Sequence, residues 1–215
     1  MNENDRRDHW EKVYVDKSDF HLSGYEEVPS ASLELAEHAG INSASVVIDI
    51  GGGTSRFAEC LIDRGVRDVS VLDLSRSALD ANRSRLGLRG KDVTWLVADI
   101  TTWKSERQYD LWHDRAVFHF LVKEKDRAAY LDCLNKAVKA GGHAIIATFV
   151  PDGPEKCSGL PVERYSPESL SVTLGEAYKL LEYRFDIHVT PWGSEQRFQF
   201  SLFEKRKDGS ATSGR

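Results

Sequence analysis

The sequence has few cysteines, no basic excess and no long apolar run, and each shortage excludes a class of protein. Its three cysteines show no paired spacing, which favours free thiols over disulfides or metal ligands. The net charge of −5 argues against a broad nucleic-acid surface, because such a surface carries a basic excess. No apolar stretch is long enough to cross a bilayer, and the N-terminal residues, which include Arg6 and Arg7, lack the apolar core of a signal peptide. We therefore predict a cytoplasmic protein with a small-molecule substrate, no nucleic-acid or membrane partner and no metal; no oligomeric state is indicated.

The most informative segment is residues 46–54, and a glycine that one class of cofactor loop would require is missing just after it. There an apolar, β-branched run ends at Asp49 and continues into Gly51 and Gly53, which predicts a buried parallel strand followed by a loop that approaches a ligand. A dinucleotide fingerprint has a further glycine three residues after its second one, and this chain has Arg56 there. A carboxylate at Asp49 would also repel a pyrophosphate. A ligand with positive charge and no phosphate is the better match.

A second acid, Asp73, ends the next apolar run, about one βαβ unit further along the chain. Doubly wound folds place at this point the carboxylate that accepts hydrogen bonds from a ribose. S-adenosylmethionine carries a ribose, an ammonium and a sulfonium, and so matches both acids. The sequence therefore predicts this cofactor and methyl transfer; an ordinary strand-to-helix turn is the alternative, because glycines also mark such turns.

Apolar runs alternate with amphipathic segments along the chain, which predicts an α/β fold with a doubly wound, mostly parallel sheet. We expect strands at 46–50, 69–72, 93–97, around 110–114 and at 143–149, followed by an antiparallel pair at 178–189 and 196–204. Helices are expected at about 30–39, 55–63, 77–86, 125–139 and 167–174. Gly141-Gly142 should end the long helix before the fifth strand. The predicted organisation is an N-terminal lid segment (1–28), a catalytic domain (29–204) and a disordered tail (205–215).

The ordered motifs resemble those of class I S-adenosylmethionine-dependent methyltransferases. They are the segment Asp49-x-Gly51-x-Gly53, the acid Asp73, the segment 98–100 and Gly141-Gly142, and the similarity runs from about residue 10 to 203. Residues 109–120 and 157–162 are similar to segments of a small bacterial-type subgroup. The resemblance implies a seven-stranded Rossmann-like sheet whose last strand is antiparallel, with the cofactor across the strand C-termini. Residues 22–25 depart from the related lid, which often has a second tryptophan there.

The resemblance also implies roles for individual residues. Asp49 would lie near the cofactor's ammonium, and Asp73 would bind the ribose hydroxyls. Asp99 would meet the adenine amine, with Ile100 against the ring; a carboxylate that accepts such bonds is chemically suited to each place. The remaining predicted cofactor-site residues are Gly51, Gly53, Leu74, Arg115, Trp10 and Tyr14.

The end of the fourth strand supplies the candidates for catalysis, namely His113, Asp114 and His119. Successive side chains of a strand point to opposite faces, so His113 and Asp114 cannot both point at one ligand. Asp114 with Arg115 is alternatively an ion pair that fixes the loop. If the nucleophile must lose a proton, His119 is the predicted base, and a histidine packed in the core is its alternative.

The segment after the fifth strand contains several glycines and prolines beside the expected site, which favours a functional loop. Polar or aromatic residues there and on the last strands are predicted to face the substrate: Tyr25, Cys157, Arg164, Tyr165, His188 and Gln196. We expect transfer to an oxygen, nitrogen or sulfur nucleophile of a small molecule. Two alternatives remain: methylation of a protein lysine, which an acidic channel around Glu26, Glu27 and Asp152 would favour, and a module that binds cofactor without turnover.

Overall fold

The computed structural model describes residues 3–15 and 26–207. Seven strands form its central sheet: β1 (Val46–Ile50), β2 (Asp68–Asp73), β3 (Thr94–Val97), β4 (Tyr109–Arg115), β5 (Val138–Phe149), β8 (Tyr178–Val189) and β9 (Glu195–Lys205). Their order across the sheet is β3-β2-β1-β4-β5-β9-β8. β1 to β5 pair in parallel, and β9 runs antiparallel to both of its neighbours. The predicted doubly wound sheet with a reversed last strand is confirmed.

Six helices flank the sheet in the described residues: α1 (Glu3–Val15), α2 (Ser30–His38), α3 (Phe57–Asp63), α4 (Arg76–Leu86), α5 (Glu124–Ala137) and α6 (Pro167–Leu174). Local sequence explains several of their ends. Ser75 caps α4, because its hydroxyl accepts from the Ala78 N–H at 3.1 Å. Ser166 and Ser169 form a reciprocal capping box at α6, with Pro167 in its first turn.

Each face of the sheet buries its own apolar cluster. Val47, Val71 and Phe57 belong to the cluster beneath α2, α3 and α4, while Ile48, Trp112 and Tyr130 belong to the cluster beneath α5 and α6. Side chains alternate between the clusters along β1 and β4, as strand geometry requires. At the carboxyl ends of the strands this alternation decides which polar side chains reach the site.

The turn between α5 and β5 differs from the prediction. α5 ends at Ala137 and β5 begins at Val138, so Gly141-Gly142 lies inside the strand and does not cap the helix. Tyr109 pairs with Val138, and Leu111 pairs with His143, which makes this stretch an irregularity in the ladder. Gly141 has a φ of +77°, which a glycine adopts without strain.

The segment after β5 contains a short hairpin, β6 (Lys156–Cys157) and β7 (Leu160–Pro161), where an irregular loop was expected. Much of the predicted lid, with Tyr25 and residues 22–25, lies outside the described residues, as does the tail after residue 207. None of the described helices is long and apolar enough to cross a membrane.

Candidate functional site

A cavity of about 470 Å³ lies at the carboxyl ends of β1, β2 and β4. Parallel strands bring their carboxyl ends to one edge, and ligands of open α/β sheets bind outside that edge. The strand-end residues Asp49, Asp73 and Arg115 line the cavity, and α1 contributes Arg6, Trp10 and Tyr14. The predicted cofactor residues Leu74, Asp99 and Ile100 line it as well.

Asp49 is held by a buried hydrogen-bonded chain. His113 Nδ1 lies 2.6 Å from Asp49 Oδ1, and His113 Nε2 lies 2.8 Å from Ser32 Oγ. A carboxylate only accepts, so Nδ1 donates to Asp49. The ring also stacks on Phe57 at 3.8 Å between centroids. Both ring nitrogens therefore have partners, and His113, which lines the cavity, holds Asp49 in place.

The second oxygen of Asp49, Oδ2, is buried and has no hydrogen-bond partner among the described residues. A buried acceptor without a partner costs about 1–3 kcal/mol, so a donor from a ligand is expected there. The glycine loop leaves no room for side chains beside it. A Cβ on Gly52 would lie 2.6 Å from this oxygen, and one on Gly51 would lie 2.1 Å from Val117 Cγ2.

Asp73 lies at the tip of β2, and only 6% of it is exposed. Its Oδ1 accepts from the Ser75 N–H at 2.8 Å. Burial raises the pKa of Asp73 to about 7, opposed by the N–H groups of Ser75 and Gly53. A Cβ on Gly53 would lie 2.9 Å from Asp73 Oδ2, which explains the glycine there. This carboxyl group changes its charge near neutral pH.

Helix α1 covers one side of the cavity and is held by its charged residues. Arg6 Nη2 donates to Asp99 Oδ2 at 2.6 Å and to Thr101 Oγ1 at 3.0 Å. The Glu11 carboxylate accepts from the Arg76 N–H at 2.7 Å and so caps the first turn of α4. The rings of Trp10 and Phe120 pack edge to face at 5.0 Å.

The contact with Arg6 bears on the predicted role of Asp99. Its Oδ1 accepts from the N–H and the hydroxyl of Thr101 at 2.8 and 2.7 Å, so both oxygens of the carboxylate are engaged. Burial alone would raise the pKa of Asp99, but the bonds from Thr101 and Arg6 outweigh it and lower the pKa. Contact between Asp99 and an adenine amine therefore requires Arg6 to move or to share Oδ2.

Asp114 does not line the cavity, and its predicted catalytic role is not supported. The carboxylate points to the opposite face from His113 and accepts from the Tyr130 hydroxyl at 2.6 Å. It also accepts from the Val117 N–H at 2.8 Å and the Phe118 N–H at 3.1 Å. Burial raises its pKa to about 6, against these bonds. Asp114 fixes the turn after β4 from beneath, through backbone N–H groups rather than through the alternative ion pair with Arg115.

His119 also lies outside the cavity lining. It is fully buried in a 3₁₀ turn (Phe118–Phe120), and its ring packs against Phe120, Phe149 and Phe198. Burial, together with the charge of Arg115, lowers the pKa of His119 to about 3. Neither ring nitrogen has a partner among the described residues. A neutral imidazole enclosed by aromatic rings does not support the prediction of a mobile base. Its two unpartnered nitrogens also distinguish it from the alternative, a core histidine whose hydrogen bonds are satisfied.

The other end of the cavity is polar. Arg115 Nη2 donates to Glu26 Oε1 at 2.7 Å, and His188 Nδ1 lies 3.4 Å from the same oxygen. Burial would raise the pKa of Glu26, but the hydrogen bond with His188 and the charge of Arg115 outweigh it and lower the pKa. Phe198 lies under the Arg115 guanidinium at 5.3 Å. Glu26 is thus an ionised carboxylate at the cavity wall.

The remaining predicted substrate residues divide into two groups. Cys157 lines the cavity, and His188, which does not line it, contacts the lining residue Glu26. Tyr165 is buried against Phe118, and Arg164, which donates to the Gly153 carbonyl, does not line the cavity; nor does Gln196. Asp152 pairs with Arg197 at the surface, so this acid of the hypothetical channel is neutralised.

The sequence of residues 47–142 matches the family model described as a methyltransferase domain. Malonyl-(acyl-carrier protein) O-methyltransferase 2 of Ilyobacter polytropus is 25% identical over 134 residues, which are 60% of this chain and 50% of that protein. Malonyl-(acyl-carrier protein) O-methyltransferase 1 of the same organism is 24% identical over 118 residues, which are 54% of this chain and 42% of that protein. The chain thus spans about half the length of the curated relatives it matches. Residues 47–142 are therefore similar to a methyltransferase domain.

Several solved structures share the fold of this chain. One, described as "Conversion of a Disulfide Bond into a Thioacetal Group during Echinomycin Biosynthesis", has a TM-score of 0.73 and 21% identity, and covers 95% of this chain and 94% of its own. The N-methyltransferase NodS of Bradyrhizobium japonicum with S-adenosylhomocysteine has a TM-score of 0.69 and 17% identity, and the match covers 91% of this chain and 97% of NodS. The 1,6-didemethyltoxoflavin-N1-methyltransferase of Burkholderia thailandensis has a TM-score of 0.67 and 21% identity, and the match covers 95% of this chain and 84% of that enzyme. Identities this low show the fold.

No role was predicted for Arg6, Glu11 or Ser32, which hold α1 and Asp49 in place around the cavity. Arg6 and Glu11 lie on the helix whose aromatic residues Trp10 and Tyr14 were predicted to contact the cofactor, but the partners of these two charged side chains are more than 60 residues away. Ser32 lies on the predicted helix at 30–39, where no pattern points to its contact with His113.

Proposed function

We propose that this protein transfers the methyl group of S-adenosylmethionine to an oxygen, nitrogen or sulfur nucleophile of a small molecule. The observation that carries the proposal is the free oxygen of Asp49, buried at the wall of a cavity whose neighbouring strand ends in Asp73. One oxygen requires a donor, and a cationic ammonium is the strongest donor for it. Asp73 lies one strand away, where a ribose is bound in doubly wound folds.

The residues around the cavity fit this cofactor better than a dinucleotide. Two carboxylates face the cavity at the strand ends, and a pyrophosphate between them would be repelled. Leu74, Ala98 and Ile100 provide apolar walls for an adenine ring. Asp49 would hold the amino-acid end and Asp73 the ribose. The cofactor would supply the electrophilic methyl group on its sulfonium.

Catalysis then depends mainly on positioning by residues of this chain. The Ser32–His113–Asp49 chain fixes one carboxylate, and Glu11 with Arg6 holds α1 over the cavity. Holding two reactants in line supplies on the order of 7–11 kcal/mol of a barrier. Enclosure also keeps competing water away from the methyl group.

Glu26 and Arg115 are the residues we assign to the acceptor. Both line the cavity, and Glu26 stays ionised beside Arg115 and His188. An ionised carboxylate can orient an N–H or O–H group of the acceptor and can stabilise positive charge on a methylated amine. The cavity of about 470 Å³ must hold cofactor and acceptor together, and this is near the lower end of small-molecule sites, about 300–1,000 Å³. The acceptor should therefore be small.

The proposal is tested by incubating the full chain with S-adenosylmethionine labelled in its methyl group, with a metabolite pool in one arm and a protein extract in another. We expect the label in small molecules. Asp73→Ala is the control for dependence on the site and should transfer little label.

Label only in protein would contradict the small-molecule assignment and favour the lysine alternative. Absence of transfer in both arms, together with tight binding of S-adenosylhomocysteine, would identify a cofactor-binding module. Absence of binding to either form of the cofactor would refute the site itself.

A further inference from the structure

The end of the cavity that holds Glu26 and Arg115 combines this charged pair with apolar neighbours. Cys157 and Ser158 of the β6–β7 hairpin line the cavity, and Cys157 packs against the cluster that contains Phe198, the ring beneath Arg115. The hairpin therefore lies at this end. The apolar lining residues from the hairpin, from the turn after β4 and from the start of α2 are Pro29, Ala116, Val117, Leu160 and Pro161.

The two carboxylate oxygens of Glu26 are used differently. Oε1 accepts from Arg115 Nη2 at 2.7 Å and lies 3.4 Å from His188 Nδ1. No residue in the part of the chain that the structure describes donates to Oε2, and 17% of the Glu26 side chain stays exposed at the cavity wall. An ionised carboxylate oxygen with unused capacity favours a hydrogen-bond donor, and a donor that carries positive charge most of all.

The supply of bases near the acceptor also restricts the nucleophile. A hydroxyl or thiol attacks well only when a base removes its proton. Of the described residues that line the cavity, only His113 is a histidine, and a proton reaches its ring only if the bond to Asp49 or to Ser32 breaks. Asp73, whose pKa is about 7, belongs to the ribose end, and the lowered pKa of Glu26 makes it a weak base.

An amine meets both conditions at once. Its neutral form carries a lone pair on nitrogen and attacks without first losing a proton, so it needs no base for the transfer step. The nitrogen then becomes positively charged, and an ionised carboxylate beside it stabilises that developing charge. The same carboxylate would oppose the negative charge of an oxygen or sulfur anion.

We propose that the acceptor is a small primary or secondary amine with an apolar body, and that its N–H group donates to Glu26 Oε2. The assignment rests on the proposed function, because it concerns the molecule that receives the methyl group. The nitrogen lone pair forms the bond to the methyl carbon, while the electron pair of the breaking carbon–sulfur bond stays on sulfur. The methylated nitrogen, now cationic beside Glu26, loses its extra proton to water.

The atom that receives the methyl group tests the inference directly. The full chain is incubated with a metabolite pool and S-adenosylmethionine labelled with ¹³C in its methyl group. NMR then identifies the product, because methyl carbons on nitrogen, oxygen and sulfur differ in chemical shift. We expect the new signal on nitrogen. A signal on oxygen or sulfur would overturn the amine assignment and leave the proposed function standing, whereas no signal in any small molecule would refute both.

Binding provides a readout that does not need turnover. Benzylamine and benzyl alcohol share an apolar body and differ in the donor group. Calorimetry compares their affinities for the chain saturated with S-adenosylhomocysteine. We expect benzylamine to bind roughly tenfold or more tightly, because a hydrogen bond between two charged groups is the stronger one. Equal affinities, or no binding of the amine, would overturn the proposal.

Glu26→Gln removes the charge and keeps the size of the side chain. Glu27→Gln is the matched control, because Glu27 is an exposed neighbour outside the cavity lining. We expect Glu26→Gln to lose the preference for benzylamine and to keep the wild-type affinity for S-adenosylhomocysteine, while Glu27→Gln behaves as the wild type. Circular dichroism checks that both variants are folded. A folded Glu26→Gln variant that keeps the preference, or that loses affinity for S-adenosylhomocysteine, would contradict the contact between Glu26 and the acceptor.

Discussion

The strand ends on the two sides of the cavity behave differently. At the tips of β1 and β2, short sequence patterns placed Asp49 and Asp73 at the cavity wall, where the structure has them. After β4, residues of equally suggestive type separate: Asp114 binds backbone N–H groups, and His119 is enclosed by aromatic rings. On β1 and β2 the regular alternation of a strand determines where the side chains point. After β4 the conformation of a tight turn determines it.

A buried polar residue near the cavity can bind a ligand only if it has hydrogen-bonding capacity that the protein does not use. Asp49 has one bound oxygen and one free oxygen, and so can serve a ligand. Asp114 has all its capacity engaged by its own turn and by Tyr130. Position near a strand end is therefore insufficient, and unused hydrogen-bonding capacity at the cavity wall is the better criterion.

The largest expected effect tests the cofactor side. Asp73→Ala should weaken binding of S-adenosylhomocysteine by roughly 10²- to 10⁴-fold, because two charge-assisted bonds to ribose are each worth about 1.5–3 kcal/mol. Asp68→Ala, at the start of the same strand and paired with Arg107 at the surface, is the matched control. Titration calorimetry measures both. Equal affinity of the two folded variants would remove Asp73 from the site.

A smaller effect follows from the raised pKa of about 7 at Asp73. Ribose hydroxyls bind the ionised carboxylate, so protonation competes with the ligand. Affinity for S-adenosylhomocysteine should fall by up to about tenfold per pH unit below pH 7 and level off above it. The isosteric Asp73→Asn variant should show a flatter profile between pH 5.5 and 8.5. Parallel profiles for both proteins would show that another group controls the dependence.

His119 provides the converse test, on the side after β4. Its pKa is about 3 in the folded state, below the ordinary 6.5, so the unfolded chain binds an extra proton below pH 6.5. Stability from this group is therefore present above pH 6.5 and is lost as the pH falls toward 3. Between pH 6.5 and 5 the loss amounts to about 2 kcal/mol.

Urea denaturation of the wild type and of His119→Phe at these two pH values measures that difference, and the variant should lack this part of the acid sensitivity. The other titratable groups contribute equally to the pH dependence of the unfolding free energy in both proteins, so their contributions cancel in the comparison. Methyl transfer by His119→Gln should stay within about twofold of the wild type, because a buried neutral ring supplies no base. A rate that falls 10²-fold with binding intact would restore His119 as the base.

Much of the fold was predictable because its signals are local. Apolar runs ending in Asp49 and Asp73 identify parallel strands, and the alternation along 178–189 and 196–204 identifies the final hairpin. Contacts between distant segments were not predictable: Arg6 and Asp99 are 93 residues apart, and no pattern links them. Gly141 was wrongly predicted to end the helix because a positive φ suits a helix end and a strand irregularity equally.

The most direct test of the account separates the two ends of the cofactor. Calorimetry with S-adenosylhomocysteine and with methylthioadenosine, which keeps the adenosine but lacks the amino-acid part, compares the wild type with Asp49→Asn, His113→Gln and Asp73→Asn. We predict that the Asp49 and His113 variants lose about tenfold or more in affinity for S-adenosylhomocysteine alone, while the Asp73 variant loses affinity for both ligands. Equal losses for both ligands in all three variants, or no loss in any, would contradict the assignment of Asp49 and Asp73 to opposite ends of one cofactor.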